Sequence, residues 1–250
     1  MFVHADGTPV ELPDPDCRLE VSLEVLQHGA VEILGRIPGS SNSAFLSIVT
    51  HEGLALSAIF KPGEGEYPLW DFSEGHLYRR EIAAFHLSEL LQWDLVPATV
   101  LRVDQPAGPG SLQHTVTHDP NEHFFTLFED YAEQFQKFAV FDVLANNADR
   151  KGGHCIRALR SDRIVGIDHG LTFHVDPKLR TVIWQFGGEP VPDELLEDVA
   201  RVLPELPSAL APWISDREAQ ATIERAVALL ETRIFPDAGD DPRRYPWPLI

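Results

Sequence analysis

At 250 residues with 44% apolar side chains, the chain is long enough to bury a sizeable core, as one large domain or two small ones. Its 39 acidic against 20 basic residues give a formal charge of −19, which argues against non-specific nucleic-acid binding and against electrostatic docking on an anionic membrane. No run of about 18 apolar residues exists and the first sixteen residues, MFVHADGTPVELPDPD, are acidic and proline-rich, so neither a membrane span nor a secretory signal is expected, and the location expected is cytoplasmic.

Pro9, Pro13 and Pro15 predict an irregular arm over residues 1 to about 20, followed by a helix over Leu19 to Leu26. Two apolar runs, Ala30 to Leu34 and Ala44 to Val49, flank the segment Gly35 to Ser43. Strand, glycine- and serine-rich turn, strand is a hairpin whose tip can approach phosphates closely, because glycine admits the backbone and Ser and Asn supply donors. Leu54, Leu56, Ala58 and Phe60 alternate with Ala55, Ser57, Ile59 and Lys61, which predicts a strand ending in a lysine.

Twenty residues after Lys61 comes Glu81, in a helix expected over Tyr78 to Gln92 with Ala83, Leu87, Leu90 and Leu91 as its apolar stripe. Val96 to Val103 and Ser111 to Val116 read as further strands around the Gly108-Pro109-Gly110 turn. The chain then turns helical. Phe135, Phe138, Ala139 and Val143 recur at helical spacing up to a polar loop carrying Asp149. The strand-like run Ile164 to Ile167 leads into Asp168 and Gly170. Pro192 to Val202 and Ser215 to Phe235 are expected helices, the second opened by a capping box of Ser215 and Glu218 and striped by Ile223, Ala226, Val227 and Leu230. Pro236 to Ile250 is expected along the surface. Of two cysteines, Cys155 is flanked by apolar residues and reads as a small buried thiol; neither implies a disulfide framework.

Helix, Asp-bearing loop, strand, turn, strand, Asp-X-Gly is the layout by which a phosphotransferase holds an acceptor-aligning carboxylate against a metal-binding one. The segments AIFKP (58–62), YRREIAAFHLSELL with VPATVLR (78–91, 96–102), GSLQ (110–113), NNADRKGGH (146–154) and GIDHGLTF (166–173) resemble, in order and spacing, the protein-kinase-like superfamily. Within it they resemble the phosphatidylinositol 3- and 4-kinase branch, the type II phosphatidylinositol 4-kinases in particular, with an actinobacterial group of kinase-like proteins as the immediate kin.

That resemblance implies a two-lobed α+β fold: an antiparallel-sheet N-terminal lobe with one helix over residues 1–116, a mainly helical C-terminal lobe over 117–250, and ATP between them. It implies that Lys61 pairs with nucleotide phosphates and is held by Glu81, that Asp149 aligns or deprotonates the acceptor, that Arg150 braces the catalytic loop, and that Asp168 chelates Mg2+ or Mn2+. Gly35, Gly39, Ser40, Ser41 and Asn42 would form the phosphate loop, and Gln113 to Val116 the connection that contacts adenine. One position departs: His154 stands where the family usually has a second metal-binding asparagine, and imidazole suits manganese or zinc better than magnesium. The alternatives are a pseudokinase acting as a nucleotide-binding scaffold, a metal-binding protein built on His114, His118 and His123 or on His154, His169 and His174, and transfer of a nucleotidyl group. A small molecule, a protein and a lipid headgroup all remain open as acceptor.

Overall fold

The computed structural model describes residues 12–15, 17–38, 42–67, 69, 72 and 76–250. The expectations for Gly39, Ser40 and Ser41, and for residues 1–11 of the arm, lie outside the described residues. The chain forms two compact units, Met1–Trp70 with Pro97–Thr117, and Asp71–Val96 with His118–Ile250. No helix of the described residues is long and apolar enough to cross a membrane.

In the first unit, helix α1 (Leu19–His28) precedes five antiparallel strands: β1 (Ala30–Arg36), β2 (Phe45–His51), β3 (Leu54–Pro62), β4 (Thr99–Arg102) and β5 (Gly110–His114), in the order β1-β2-β3-β5-β4. The β2–β3 turn is the two-residue Glu52-Gly53 loop, both with positive φ, the geometry that matches the twist of a tight hairpin. The alternation predicted for β3 holds: Leu56, Ala58 and Phe60 are buried with Val49, Ala98, Val100, Leu112 and the α1 residues Val25 and Leu26. Arg102 fastens the helix to the sheet, its Nη1 donating to the carbonyls of Leu26 and Gly29 at 2.9 Å each and so satisfying groups that the end of α1 leaves open. At β5, a Cβ on Gly110 would lie 2.4 Å from the Lys61 carbonyl oxygen; only glycine lets these strands approach there. The strand β1 runs two residues beyond Leu34: Gly35 pairs with Leu46 and Arg36 with Phe45, after a register shift between Ile33 and Gly35.

The second unit begins with α2 (Leu77–Leu91), continues through the short α3 (Phe124–Leu127) and α4 (Ala132–Ala145) to the hairpin β6 (Cys155–Ala158) and β7 (Arg163–Gly166), and closes with α5 (Asp193–Val202), α6 (Leu206–Leu210) and α7 (Asp216–Thr232). Helix α2 is buried on more sides than one stripe allows: Arg80, Glu81, Ile82, Ala84 and Phe85 are buried beside Ala83 and Leu87, whereas Leu90 is only half-buried. The capping box of α7 forms as expected, Ser215 Oγ accepting the Glu218 N–H and Glu218 Oε2 accepting the Ser215 N–H. Its buried face is rotated from the predicted stripe. Ala219, Thr222, Ala226 and Leu229 face inward while Val227 is exposed, because the buried Glu218 fixes the helix by its polar contacts as well as by its apolar ones. The tail does more than cover the surface: Leu249 offers its carbonyl to the Gly152 N–H at 2.7 Å, and Arg244 offers its own to Thr181 at 3.1 Å.

Leu56 is fully buried at the centre of the first unit's core. Leu56→Ala should destabilise that unit by about 2–5 kcal/mol, read as a lower midpoint in urea denaturation followed by circular dichroism.

Candidate active site

The site in the second unit is built from the C-terminal end of α4. Ala145 is its last residue, and Asn146 takes the left-handed conformation, φ 48°, that ends the helix. Asn146 then turns the chain by its side chain, donating to the carbonyls of His174 (2.8 Å) and Asp176 (2.7 Å) and accepting the Lys178 N–H at 2.9 Å. The next residue, Asn147, donates to Asp142 Oδ1 at 3.0 Å and accepts the Asp149 N–H at 3.0 Å. The loop that presents Asp149 is therefore tied to its own helix one turn back.

Arg150 joins this loop to the segment after β7. Its guanidinium has no exposed side-chain surface and faces Asp142, equally buried, with Nη2 at 2.9 Å from Oδ1 and Nε within 3.2 Å of both oxygens. Nη2 also meets His169 Nε2 at 2.8 Å, and Nη1 reaches the carbonyls of His154 (3.4 Å) and Ile167 (3.3 Å). Since arginine has only donors, His169 Nε2 accepts, which assigns the ring proton of a neutral His169 to Nδ1. Burial alone would lower the Arg150 pKa, but the Asp142 carboxylate overrides it and holds the group charged. Gly166 makes room for this cluster: a Cβ there would stand 2.7 Å from the Phe138 ring and 3.1 Å from Arg150 Nη1.

Two carboxylates border the network. Asp149 is mostly buried and pairs with Lys151 Nζ at 3.0 Å. Burial pushes its pKa above the ordinary aspartate value, the negative charge of Asp168 adds to the rise, and Lys151 opposes it. Asp168, by contrast, is about half exposed and takes φ 60°, a conformation that aspartate tolerates better than most side chains. His154 Nε2 lies 3.5 Å from Asp168 Oδ2. Following Asp168, the His169 N–H donates to Glu81 Oε2 at 2.9 Å, so the α2 carboxylate, only 2% exposed, is fixed to the backbone beside Asp168.

The structure thus brings Glu81, Asp149, Arg150, His154 and Asp168 together in one unit. A carboxylate and an imidazole 3.5 Å apart fit two ligands of a single ion, whose bonds to such groups run about 2.0–2.2 Å. Among the described residues no third His, Cys, Asp or Glu completes a protein cage.

The first unit holds the remaining sequence-expected residues. Lys61 is the penultimate residue of β3, opposite Ser111. Gln113 is buried and spends its amide on Thr99 Oγ1 at 2.9 Å, a tie between β5 and β4. Val116 follows β5, next to Thr115, whose N–H bonds the Ser57 carbonyl. Gly35 lies in the β1–β2 ladder rather than in the loop, and Asn42 Oδ1 accepts the Tyr67 N–H at 2.7 Å. Sequence reasoning misses Asp142 and His169 as the partners of Arg150. The available signal is an aspartate inside the otherwise apolar turn FDVLA, where an unpaired carboxylate is costly.

This architecture is the protein-kinase-like fold. It aligns with the crystal structure of the Golgi casein kinase at a TM-score of 0.56 and 14% identity, over 88% of this chain and 75% of that one. It aligns likewise with the Helicobacter pylori proinflammatory kinase CtkA at 0.53 and 12%, over 84% and 94%. The sequence signature of phosphatidylinositol 3- and 4-kinases matches residues 79–222, and Protein Rv2133c of Mycobacterium tuberculosis is 37% identical over 90% of this chain and 94% of its own length. The chain belongs to the phosphatidylinositol 3- and 4-kinase family, and its function is phosphotransferase-like.

Removing Asp142 would leave Arg150 buried without its counter-charge, so Asp142→Ala should cost about 3–5 kcal/mol of stability in chemical denaturation. For Asp149, carboxyl resonances followed by NMR in metal-free protein should titrate above the ordinary aspartate range. Lys151→Met should move the midpoint higher still, since Lys151 holds it down; a midpoint at or below the ordinary value would contradict the burial described.

Proposed function

We propose that the chain transfers the terminal phosphoryl group of ATP to an acceptor hydroxyl with the help of one divalent metal ion. The observation that carries this reading is the pairing of a shielded carboxylate, Asp149, with an exposed one, Asp168, on two loops anchored by the same buried arginine. Phosphoryl transfer needs little covalent help from a protein; it needs aligned reactants and neutralised charge.

In this reading Asp149 orients the acceptor hydroxyl and takes its proton, and the raised pKa suits a group that must accept one. Asp168, with His154 beside it, holds the metal ion, which when bound supplies positive charge to the phosphate oxygens. Lys61 contributes a second positive charge on the nucleotide phosphates, with the connection between β1 and β2 as the phosphate loop and the backbone of the Gln113 to Val116 segment for the adenine edge. Glu81, held by the His169 amide, keeps the Asp168 turn in place. The phosphate-contacting lysine falls in residues 1–116 and the two reacting-centre aspartates in 117–250. An inositol lipid headgroup follows from the family as acceptor, whereas the charge of −19 favours a small molecule or a basic protein.

A second reading is favoured by one position. His154, where the family usually has asparagine, fits a nucleotide-binding module that has lost transfer.

Calorimetric titration of ATP with manganese, magnesium or chelator separates these readings. Binding that requires a divalent ion, with phosphate transfer to any acceptor in a screen, supports the enzyme; ion-dependent binding without transfer supports the scaffold, and no binding under any condition removes both. Asp168→Asn should abolish metal-dependent nucleotide binding. Asp149→Asn should keep binding and lower turnover by roughly 10²–10⁴-fold. If His154 ligates the ion, His154→Asn should shift the preference from manganese towards magnesium.

A further inference from the structure

Away from these carboxylates, the second unit has a partly open cavity of about 240 Å³ between the N-terminal end of α2 and the turn that joins α6 to α7. Its volume is slightly below the roughly 300–1,000 Å³ usual for ligand pockets, so it suits a small ligand. One wall is apolar, formed by Ala211, Pro212, Trp213 and Ile214; the other carries Arg79, Arg80 and the Glu218 carboxylate. The Trp213 ring is held flat against His86 of α2, centroids 5.1 Å apart and planes inclined by 14°. Burial lowers the His86 pKa, so this stack adds no positive charge to the wall.

The two arginines differ in what they have left to bind. Arg80 is buried and neutralised by Glu218, its other amine donating to the Thr172 carbonyl. Arg79 is exposed, donates one N–H to the Pro212 carbonyl at 2.8 Å and has no carboxylate partner among the described residues. Glu218 does not supply the counter-charge of Arg79, because its Oε1 meets Arg80 and its Oε2 accepts from Ser215. A guanidinium oriented by a single backbone carbonyl, on the rim of an apolar cavity and without an acid of its own, matches an anionic head joined to an apolar body.

We propose that this cavity is a binding site for a small organic anion, a carboxylate or phosphate monoester, whose head meets Arg79 and whose apolar body lies against Pro212, Trp213 and Ile214. The site stands independently of phosphotransfer, since none of its residues is assigned to that chemistry.

The test is an amide-resolved NMR titration of the full chain with benzoate, with phenyl phosphate and with the neutral benzyl alcohol. Benzoate or phenyl phosphate should shift the amides of Ala211 to Ser215 and of Arg79 in a saturable way, and benzyl alcohol should bind at least tenfold more weakly. Arg79→Gln, an exposed change that leaves the fold intact, should weaken the anion at least tenfold, and Arg79→Lys should restore part of the loss. Saturation by only one of the two anions supports the site and fixes its head group. Absence of shifts with either anion, equal binding of benzyl alcohol, or unchanged affinity in Arg79→Gln would overturn it.

Discussion

A guanidinium with no solvent-exposed surface is stable only if its charge is met and its donors are used, and the second unit is arranged so that both conditions hold at Arg150. The residues that meet it come from different stretches of chain: Asp142 from α4, the His154 carbonyl from the loop before β6, and the Ile167 carbonyl and His169 from the turn after β7. Asp142 serves three further purposes, accepting from Asn147 and Thr181 and, through Asn147, fixing the amide of Asp149. The loop carboxylates are therefore positioned by segments that converge on one buried charge. Such a pair is a poor source of net stability, because desolvation consumes most of the attraction; what it supplies here is registry between α4, the loop that follows it and the turn after β7.

Apolar periodicity made much of the fold legible. The alternation in β3 and the spacing of α4 located those elements, and the Ser215–Glu218 box located the start of α7 to the residue. The signal failed where polar groups decide orientation. Glu218 is buried against Arg80, so α7 turns a different face inward from the one its Ile and Val residues mark, and α2 is buried on sides that carry Arg80 and Glu81. Periodicity counts apolar residues and has no means of counting a satisfied ion pair. For the same reason Asp149 and Asp168 stand out in their loops, whereas Asp142 is hidden inside an apolar helix and His169 behind its neighbour.

Charge is distributed to match this division. The chain carries a large negative excess, yet two of its buried acids are balanced locally, Asp142 by Arg150 and Glu218 by Arg80. Asp149 is shielded and held by Lys151, while Asp168 keeps about half its side-chain surface in water. A carboxylate left in water beside an imidazole retains its affinity for a cation, and one drawn into a drier site gains affinity for a proton. Two chemically identical side chains thus acquire different tendencies from their surroundings, within the reach of one arginine.

The two thiols are divided as unequally as the two carboxylates. Cys155 is fully enclosed behind Arg150 and Asp142, and burial pushes its pKa up to about 12, so almost none of it is thiolate near neutral pH. Cys17, in the first unit, is partly open to solvent, with Ser22 Oγ at 3.1 Å from its sulfur. Maleimide or a spin label would therefore mark the first unit at one native position, with no cysteine to remove, and reaction at Cys155 would become a clock for opening of the loop network around Arg150.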